Sequence, residues 1–186
     1  MREIIEPNEI LRDVVERLES GGIAYMLSGS MAMMYYAVPR YTADIDIVLE
    51  LNKGKAAEIP ALFEPDYYVP HRRIKDAILR QSMFNLIHHE SSFKVDCIIK
   101  KNSVFQENAF INRERVNYFD FEVWIIGKED LIISKLLWAK ESRSDFQARD
   151  IVNLMKFGFE KSYIEEWTKR LDVNDFFVEC LNKLQK

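Results

Sequence analysis

The chain contains few residues of the kinds that define several common protein classes. Only two of its 186 residues are cysteines, Cys97 and Cys180, and their spacing matches no zinc site. Cys97 alternates with Val95 and Ile99, which is typical of a small buried residue on a strand. The cysteines therefore support neither a zinc site nor a need for an oxidising compartment.

Long apolar runs are also missing. No run reaches the roughly 18 residues that span a bilayer, and charged residues rather than an apolar segment follow Met1. The formal net charge is −4, which argues against a protein that coats nucleic acid by bulk charge but is compatible with a local basic patch. We therefore expect a cytoplasmic protein with no membrane partner.

The apolar content, 48%, is sufficient for a real core in a chain of this length. Strand-like and helix-like patterns mix in the first two-thirds, and the last third is helical throughout. We expect an α+β protein with a small mixed β-sheet core flanked by helices over residues 1–128. A C-terminal helical region over residues 129–186 should pack on that core.

Several segments give local predictions. Residues 53–63 are expected to form one helix despite Pro60, and residues 65–70 a loop. Residues 83–88 and 93–99 are expected to form a β-hairpin. The pattern of residues 103–115 is ambiguous.

Two carboxylates alternate with apolar residues in the segment Asp44-Ile45-Asp46-Ile47-Val48. In a strand Asp44 and Asp46 would lie on one face, with Cα atoms roughly 6.5–7 Å apart. Two like charges this close repel each other unless a cation joins them. Mg²⁺ suits this role because it prefers hard oxygen ligands and substrate phosphates.

A third carboxylate, Asp96, lies in the apolar segment 93–99 on the face opposite Val95 and Cys97. If the two strands are neighbours, Asp96 joins Asp44 and Asp46, and three carboxylates can hold two divalent ions. The alternative is that Asp44 and Asp46 form only the solvent face of an edge strand.

A small-residue turn, Ser28-Gly29-Ser30, precedes an apolar helix. Such a turn lets a backbone approach a ligand closely, and the free N–H groups of the helix start suit a phosphate. Ser30 could equally be only an N-cap. The longer glycine-rich loop with Lys of P-loop proteins is missing, as is Gly-x-Gly-x-x-Gly.

The order of these motifs resembles the DNA polymerase β-type nucleotidyltransferase superfamily. The resemblance rests on Leu27-Ser28-Gly29-Ser30, Asp44-Ile45-Asp46-Ile47 and Val95-Asp96-Cys97. It covers roughly residues 10–130, and it is the combination of motifs that is specific.

A closer likeness is to small stand-alone bacterial nucleotidyltransferases, including AbiEii-type toxins. Residues 40–46 look like their Arg-x-Thr-x-Asp-hydrophobic-Asp segment, and the helix carrying Lys135 resembles one that places a lysine near the nucleotide. Arg143 and residues 147–151 resemble a later Arg…Arg-Asp-x-x-Asp region. Asn153 departs from that pattern, because a second Asp often falls there.

The resemblance implies Mg²⁺-dependent (or Mn²⁺-dependent) transfer of a nucleoside monophosphate from an NTP such as ATP to a hydroxyl acceptor. The acceptor could be a tRNA, a protein or a small molecule, and a cognate toxin or antitoxin is a further expected partner. The implied metal ligands and catalytic residues are Asp44, Asp46 and Asp96. The implied nucleotide-binding residues are Gly29, Ser30, Arg40 and Lys135.

Other interpretations stay open from sequence alone. The chain could be a non-catalytic binding module with this fold, or a metal-dependent nuclease that uses the same carboxylates. The basic residues of segment 71–80 could bind a polyanion or simply be solvated. Asp150 could form structural ion pairs, and Trp138 is expected in the core.

Overall fold

The computed structural model describes residues 5–140 and 145–185. Its seven strands are β1 (Ala24–Ser28), β2 (Asp44–Glu50), β3 (Tyr67–Tyr68), β4 (Met83–His88), β5 (Lys94–Ile99), β6 (Glu114–Tyr118) and β7 (Phe121–Ile125). The helices within the described ranges are α1 (Pro7–Ser20), α2 (Gly29–Tyr36), α3 (Lys53–Ala56), α4 (Ile59–Phe63), α5 (His71–Arg80), α6 (Val104–Ile111), α7 (Lys128–Ala139), α8 (Asp145–Met155), α9 (Lys161–Arg170) and α10 (Asn174–Leu184).

All the strands form one mixed sheet in the order β3-β4-β5-β2-β1-β7-β6. The pairs β2–β5 and β1–β7 are parallel, and the other pairs are antiparallel. The register places Ser28, Asp46 and Asp96 side by side on three adjacent strands. This row defines one face of the sheet, called the carboxylate face below.

The opposite face of the sheet is the apolar core. Ile45 and Ile47 of β2 and Val95 of β5 are fully buried there, as the alternation of apolar residues in these strands requires. The helix α1 contributes a stripe of buried residues to the core: Ile10, Leu11, Val14, Val15 and Leu18. A capping box between Glu6 and Glu9 starts this helix.

The α+β prediction is confirmed, but two local predictions need correction, and one ambiguous segment is resolved. Residues 53–63 form two short helices rather than one, and Pro60 lies in the first turn of the second, where its missing N–H is tolerated. The expected loop 65–70 contains the two-residue strand β3. The ambiguous segment 103–115 contains α6 and the start of β6.

The helices α7 to α10 follow the last strand, as the predicted C-terminal helical region requires. α7 packs against α2 and α8 and so connects this region to the carboxylate face. The domain division at residue 128 stays a prediction. Among the described residues, no helix combines the length and apolar character needed to cross a membrane.

Candidate active site

The turn between β1 and α2 brings the start of a helix against a carboxylate. Gly29 has φ +60°, and a Cβ atom at this position would lie 1.9 Å from Oδ2 of Asp46. The backbone N–H of Ser30 donates to the Asp46 carboxylate. The predicted Gly-Ser turn therefore contacts the predicted Asp-Ile-Asp strand directly.

The three predicted carboxylates lie at the same end of the carboxylate face. Asp46 and Asp96 are paired in register on β2 and β5, and are 6% and 5% exposed. Asp44 lies two residues before Asp46 and is half-buried. Burial, followed by the charges of Asp44 and Asp96, raises the pKa of Asp46 to about 6.

Asp44 and Asp96 each have their own hydrogen-bond partners. Oδ1 of Asp44 accepts from the Thr42 hydroxyl at 3.0 Å, and Oδ1 of Asp96 accepts from the Asn85 amide. The Lys94 ammonium donates to Oδ2 of Asp96 at 3.0 Å and lies 3.7 Å from Oδ2 of Asp44. The hydrogen bond to Asp96 raises the pKa of Lys94.

Asp44, Asp46 and Asp96 lie near one another without forming a ready-made cluster for the divalent ions that the sequence predicts. Within residues 5–140 and 145–185, no three Asp, Glu, His or Cys side chains are grouped closely enough to hold a metal ion. The donor set of Asp44, Asp46 and Asp96 nevertheless fits Mg²⁺, because all its atoms are hard carboxylate oxygens. The Lys94 ammonium contacts two of these three groups.

The two cations predicted to bind nucleotide meet at Asp150. Arg40 donates to both Asp150 oxygens, from Nε at 2.9 Å and from Nη2 at 2.8 Å, and Lys135 donates to Oδ2 at 2.8 Å. Arg40 also donates to the Ser30 hydroxyl at 2.7 Å. Burial favours a higher pKa for Asp150, but the hydrogen bonds from Arg40 and Lys135 outweigh it and lower the pKa. The cluster connects the Gly-Ser turn to α7 and α8.

A cleft of about 780 Å³ opens beside the Gly-Ser turn and is lined by Asp44 and Asp46. Polar residues of the turn, Arg40 and Lys135 line one part, and apolar residues such as Met26 and Val48 line its floor. Trp138 lines it as well and is 63% exposed, so the expectation that Trp138 lies in the core is wrong. The apolar periodicity of α7 does not distinguish a core position from the wall of a cleft.

The basic helix α5 lies away from this cleft. It buries Ile74 and Ala77 and contacts β4. On β4, Phe84 is fully buried, whereas Met83 and Ile87 on the carboxylate face are 44% and 37% exposed. Because α5 covers the buried side of β4, its basic residues do not face the carboxylates.

The resemblance also singles out Asn153 and Arg143. The Asn153 amide donates to the backbone carbonyl of Val38 at 3.0 Å, a bond that an ionised Asp could not make. Arg143 lies outside the described residues. Sequence reasoning did not identify Lys94 or Asn85 as site residues, although their strand alternation places both on the face of Asp96.

No protein-family model and no curated protein matches the sequence. Solved structures do match. The lincosamide antibiotic adenylyltransferase LnuA, bound to lincomycin, has a TM-score of 0.56 at 16% identity and covers 83% of this chain and 99% of its own. An antigenic nucleotidyltransferase-like protein from Paracoccidioides brasiliensis has a TM-score of 0.53 at 16% identity, over 78% of this chain and 73% of its own.

The antibiotic-resistance factor ANT(2'')-Ia has a TM-score of 0.50 at 13% identity and covers 94% of this chain and 86% of its own. These likenesses show that the chain has the fold of nucleotidyltransferases. The narrower likeness to AbiEii-type toxins stays a prediction.

Proposed function

We propose that this protein is a cytoplasmic, Mg²⁺-dependent nucleotidyltransferase that moves a nucleoside monophosphate from an NTP to a hydroxyl acceptor. One observation carries the proposal. Asp46, a nearly buried carboxylate beside Asp44 and Asp96, lies against the glycine turn that begins α2. A fold that places one nearly buried carboxylate beside two others, despite the repulsion that Asp44 and Asp96 exert on Asp46, has a use for a cation at that place.

Asp44, Asp46 and Asp96 would hold the divalent ion, with Mn²⁺ as a possible substitute for Mg²⁺. When bound, the ion supplies positive charge that stabilises the charge developing on phosphate oxygens. Asp96 would also receive the proton of the acceptor hydroxyl. The hydroxyl oxygen then bonds to the α-phosphorus, and the bond from that phosphorus to pyrophosphate breaks with its electron pair on pyrophosphate.

The other predicted residues would bind the nucleotide. The backbone at Gly29 and Ser30 presents the start of α2 to phosphate oxygens. Arg40 and Lys135 would neutralise phosphate charge from the wall of the cleft, where Asp150 holds both of them. Their shared carboxylate fixes the position of the two cations before a nucleotide arrives.

The acceptor class is a finer part of the proposal. LnuA and ANT(2'')-Ia are named for antibiotics, and the apolar floor of the cleft beside exposed Trp138 suits a small molecule. A tRNA end or a protein hydroxyl are the other acceptor classes to test. A toxin–antitoxin pair is the biological setting that the sequence resemblance favours.

The test is a transfer assay with α-labelled NTPs, Mg²⁺ and a cell extract as the source of acceptor. Label should move to an acceptor. The double variant Asp44→Asn with Asp46→Asn should lower the transfer rate more than about 100-fold. Loss of a residue that only hydrogen-bonds a metal ligand already lowers activity by up to about 100-fold, and these two residues are proposed as the ligands themselves. Asp76→Asn, an exposed position on α5, is a control that removes one carboxylate charge away from the cleft. Transfer that survives in the double variant contradicts the proposal.

A second candidate function is a binding module with this fold and no catalysis. It is favoured by the internal pairing of Lys94, Arg40 and Lys135 with carboxylates of the same chain. Calorimetry with each NTP separates the two functions. Nucleotide binding that Asp96→Ala leaves unchanged, with no turnover of any NTP, would support the module. Degradation of nucleic acid without an NTP would instead indicate a nuclease.

A further inference from the structure

Lys94 occupies a specific place among the carboxylates. It is the first residue of β5 and lies opposite Asp44 in the parallel register with β2. Its ammonium lies 3.0 Å from Oδ2 of Asp96 and 3.7 Å from Oδ2 of Asp44. One cation of the chain therefore bridges two of the groups assigned above to the metal.

Lys94 contacts the carboxylate oxygens of Asp44 and Asp96 that Thr42 and Asn85 do not hydrogen-bond. Oδ1 of Asp44 is held by the Thr42 hydroxyl, and Oδ1 of Asp96 is held by the Asn85 amide. The Oδ2 atom of each carboxylate is the one that faces the Lys94 ammonium. A divalent ion that used these oxygens would compete directly with Lys94.

Lys94 is also able to leave. Its side chain is 42% exposed, so its ammonium regains water when it moves away, and an arriving divalent ion takes over the charge of the nearly buried Asp96 carboxylate, which is 7% exposed. Lys135, by contrast, is 5% exposed and hydrogen-bonded to Asp150. Of these two lysines, only Lys94 has a side chain that water reaches to a substantial extent.

We propose that Lys94 is a built-in counter-ion that holds Asp44 and Asp96 together in the metal-free protein and is displaced when a divalent ion binds. This inference rests on the proposed function, since it assumes that these carboxylates take a metal. It gives Lys94 a positioning role: the lysine keeps the ligands assembled but lowers the affinity of the site for the ion.

The first experiment measures Mn²⁺ binding to the whole chain by electron paramagnetic resonance, with Mn²⁺ alone as the probe. Lys94→Met should bind Mn²⁺ about five-fold more tightly than wild type, the factor equivalent to a typical half-exposed ion pair. Lys75→Met, on the other side of the sheet, makes the same charge change and should match wild type. Lys94→Arg keeps a cation and should not exceed wild-type affinity.

The second experiment needs no variant. Amine-reactive labelling of the wild type, read by mass spectrometry, should be faster at Lys94 when Mn²⁺ is present, while labelling at Lys75 stays constant. The inference therefore stays testable even if Lys94→Met does not fold.

The outcomes separate the inference from the proposed function. Mn²⁺ binding with equal affinity in wild type and Lys94→Met, and unchanged labelling of Lys94, overturns the inference alone. Tighter binding by Lys94→Arg than by wild type also contradicts it. No Mn²⁺ binding in any variant overturns the inference together with the proposed metal site. Faster Lys94 labelling with tighter binding by Lys94→Met supports both.

Discussion

Gly29 is subject to two independent constraints at a single position. Its φ of +60° lies in the left-handed region that disfavours side chains. A Cβ atom would also lie 1.9 Å from Oδ2 and 2.7 Å from Cβ of Asp46, so rotation of the carboxylate alone cannot relieve the clash. Gly29 therefore both allows the chain to turn and leaves the space that the Asp46 side chain occupies.

A substitution series at two glycines separates these constraints. Gly158 has φ +78°, and a Cβ atom added there would meet no other atom within 4 Å, so Gly158→Ala should cost only the backbone strain of about 1–2 kcal/mol. Gly29→Ala should cost about 1–3 kcal/mol more because of overpacking. Urea unfolding of both variants measures the difference, and equal losses would show that Asp46 does not constrain Gly29.

At the scale of elements, Asp150 holds α8 against α7 and against the turn that begins α2. It is 3% exposed and accepts hydrogen bonds from Arg40 and Lys135. Lys135 is itself nearly buried, so Asp150 rather than water compensates its charge. A buried cation that loses its counter-ion is far more costly than a surface pair that is broken.

Asp150→Asn should therefore lower the free energy of unfolding by about 3–5 kcal/mol. The control is Asp172→Asn, which breaks a surface pair with Lys140 in which the Asp172 side chain is 94% exposed. That change should cost at most about 1 kcal/mol. Chemical denaturation at neutral pH gives both values. Equal losses of unfolding free energy in the two variants would show that Lys135 is in contact with water rather than in a buried ion pair.

The elements also show what a sequence can and cannot predict here. Alternating Asp and Ile in β2 predicts both the strand and the shared face of Asp44 and Asp46, because the strand period is short and regular. The strand β3 has two residues, too few to show any period. The contact of Lys94 with Asp44 was not predictable, because it depends on the parallel register of β2 and β5.

At the scale of the whole molecule, two buried carboxylates oppose folding at neutral pH. Burial and the charges of Asp44 and Asp96 raise the pKa of Asp46 to about 6. Burial also raises the pKa of Asp130 to about 6, although Tyr163 donates to its Oδ1 at 2.8 Å. Both groups bind protons more strongly in the folded chain than in the unfolded chain. Their contribution to stability is therefore present at low pH and lost as the pH rises through about 6.

The last prediction follows from this loss of stability as the pH rises. Asp46→Asn should stabilise the protein at pH 8 by about 1–3 kcal/mol, because each unit of pKa shift corresponds to about 1.4 kcal/mol. The gain should shrink towards pH 4, where Asp46 is protonated in the folded chain. Asp130→Asn should give the same pH signature, since its pKa is raised by the same main cause.

Thermal or urea unfolding from pH 4 to 8 tests both variants, and the transfer assay then distinguishes them. Only Asp46→Asn should abolish transfer, because Asp130 lies among α6, α7 and α9, where Tyr163 also accepts from Asn108. A loss of stability at pH 8 in Asp46→Asn would show that the attraction of Asp46 to Lys135 outweighs both the cost of its burial and its repulsion by Asp44 and Asp96. The expected result would instead mean that the chain retains a destabilising carboxylate at the one place where the proposed chemistry needs it.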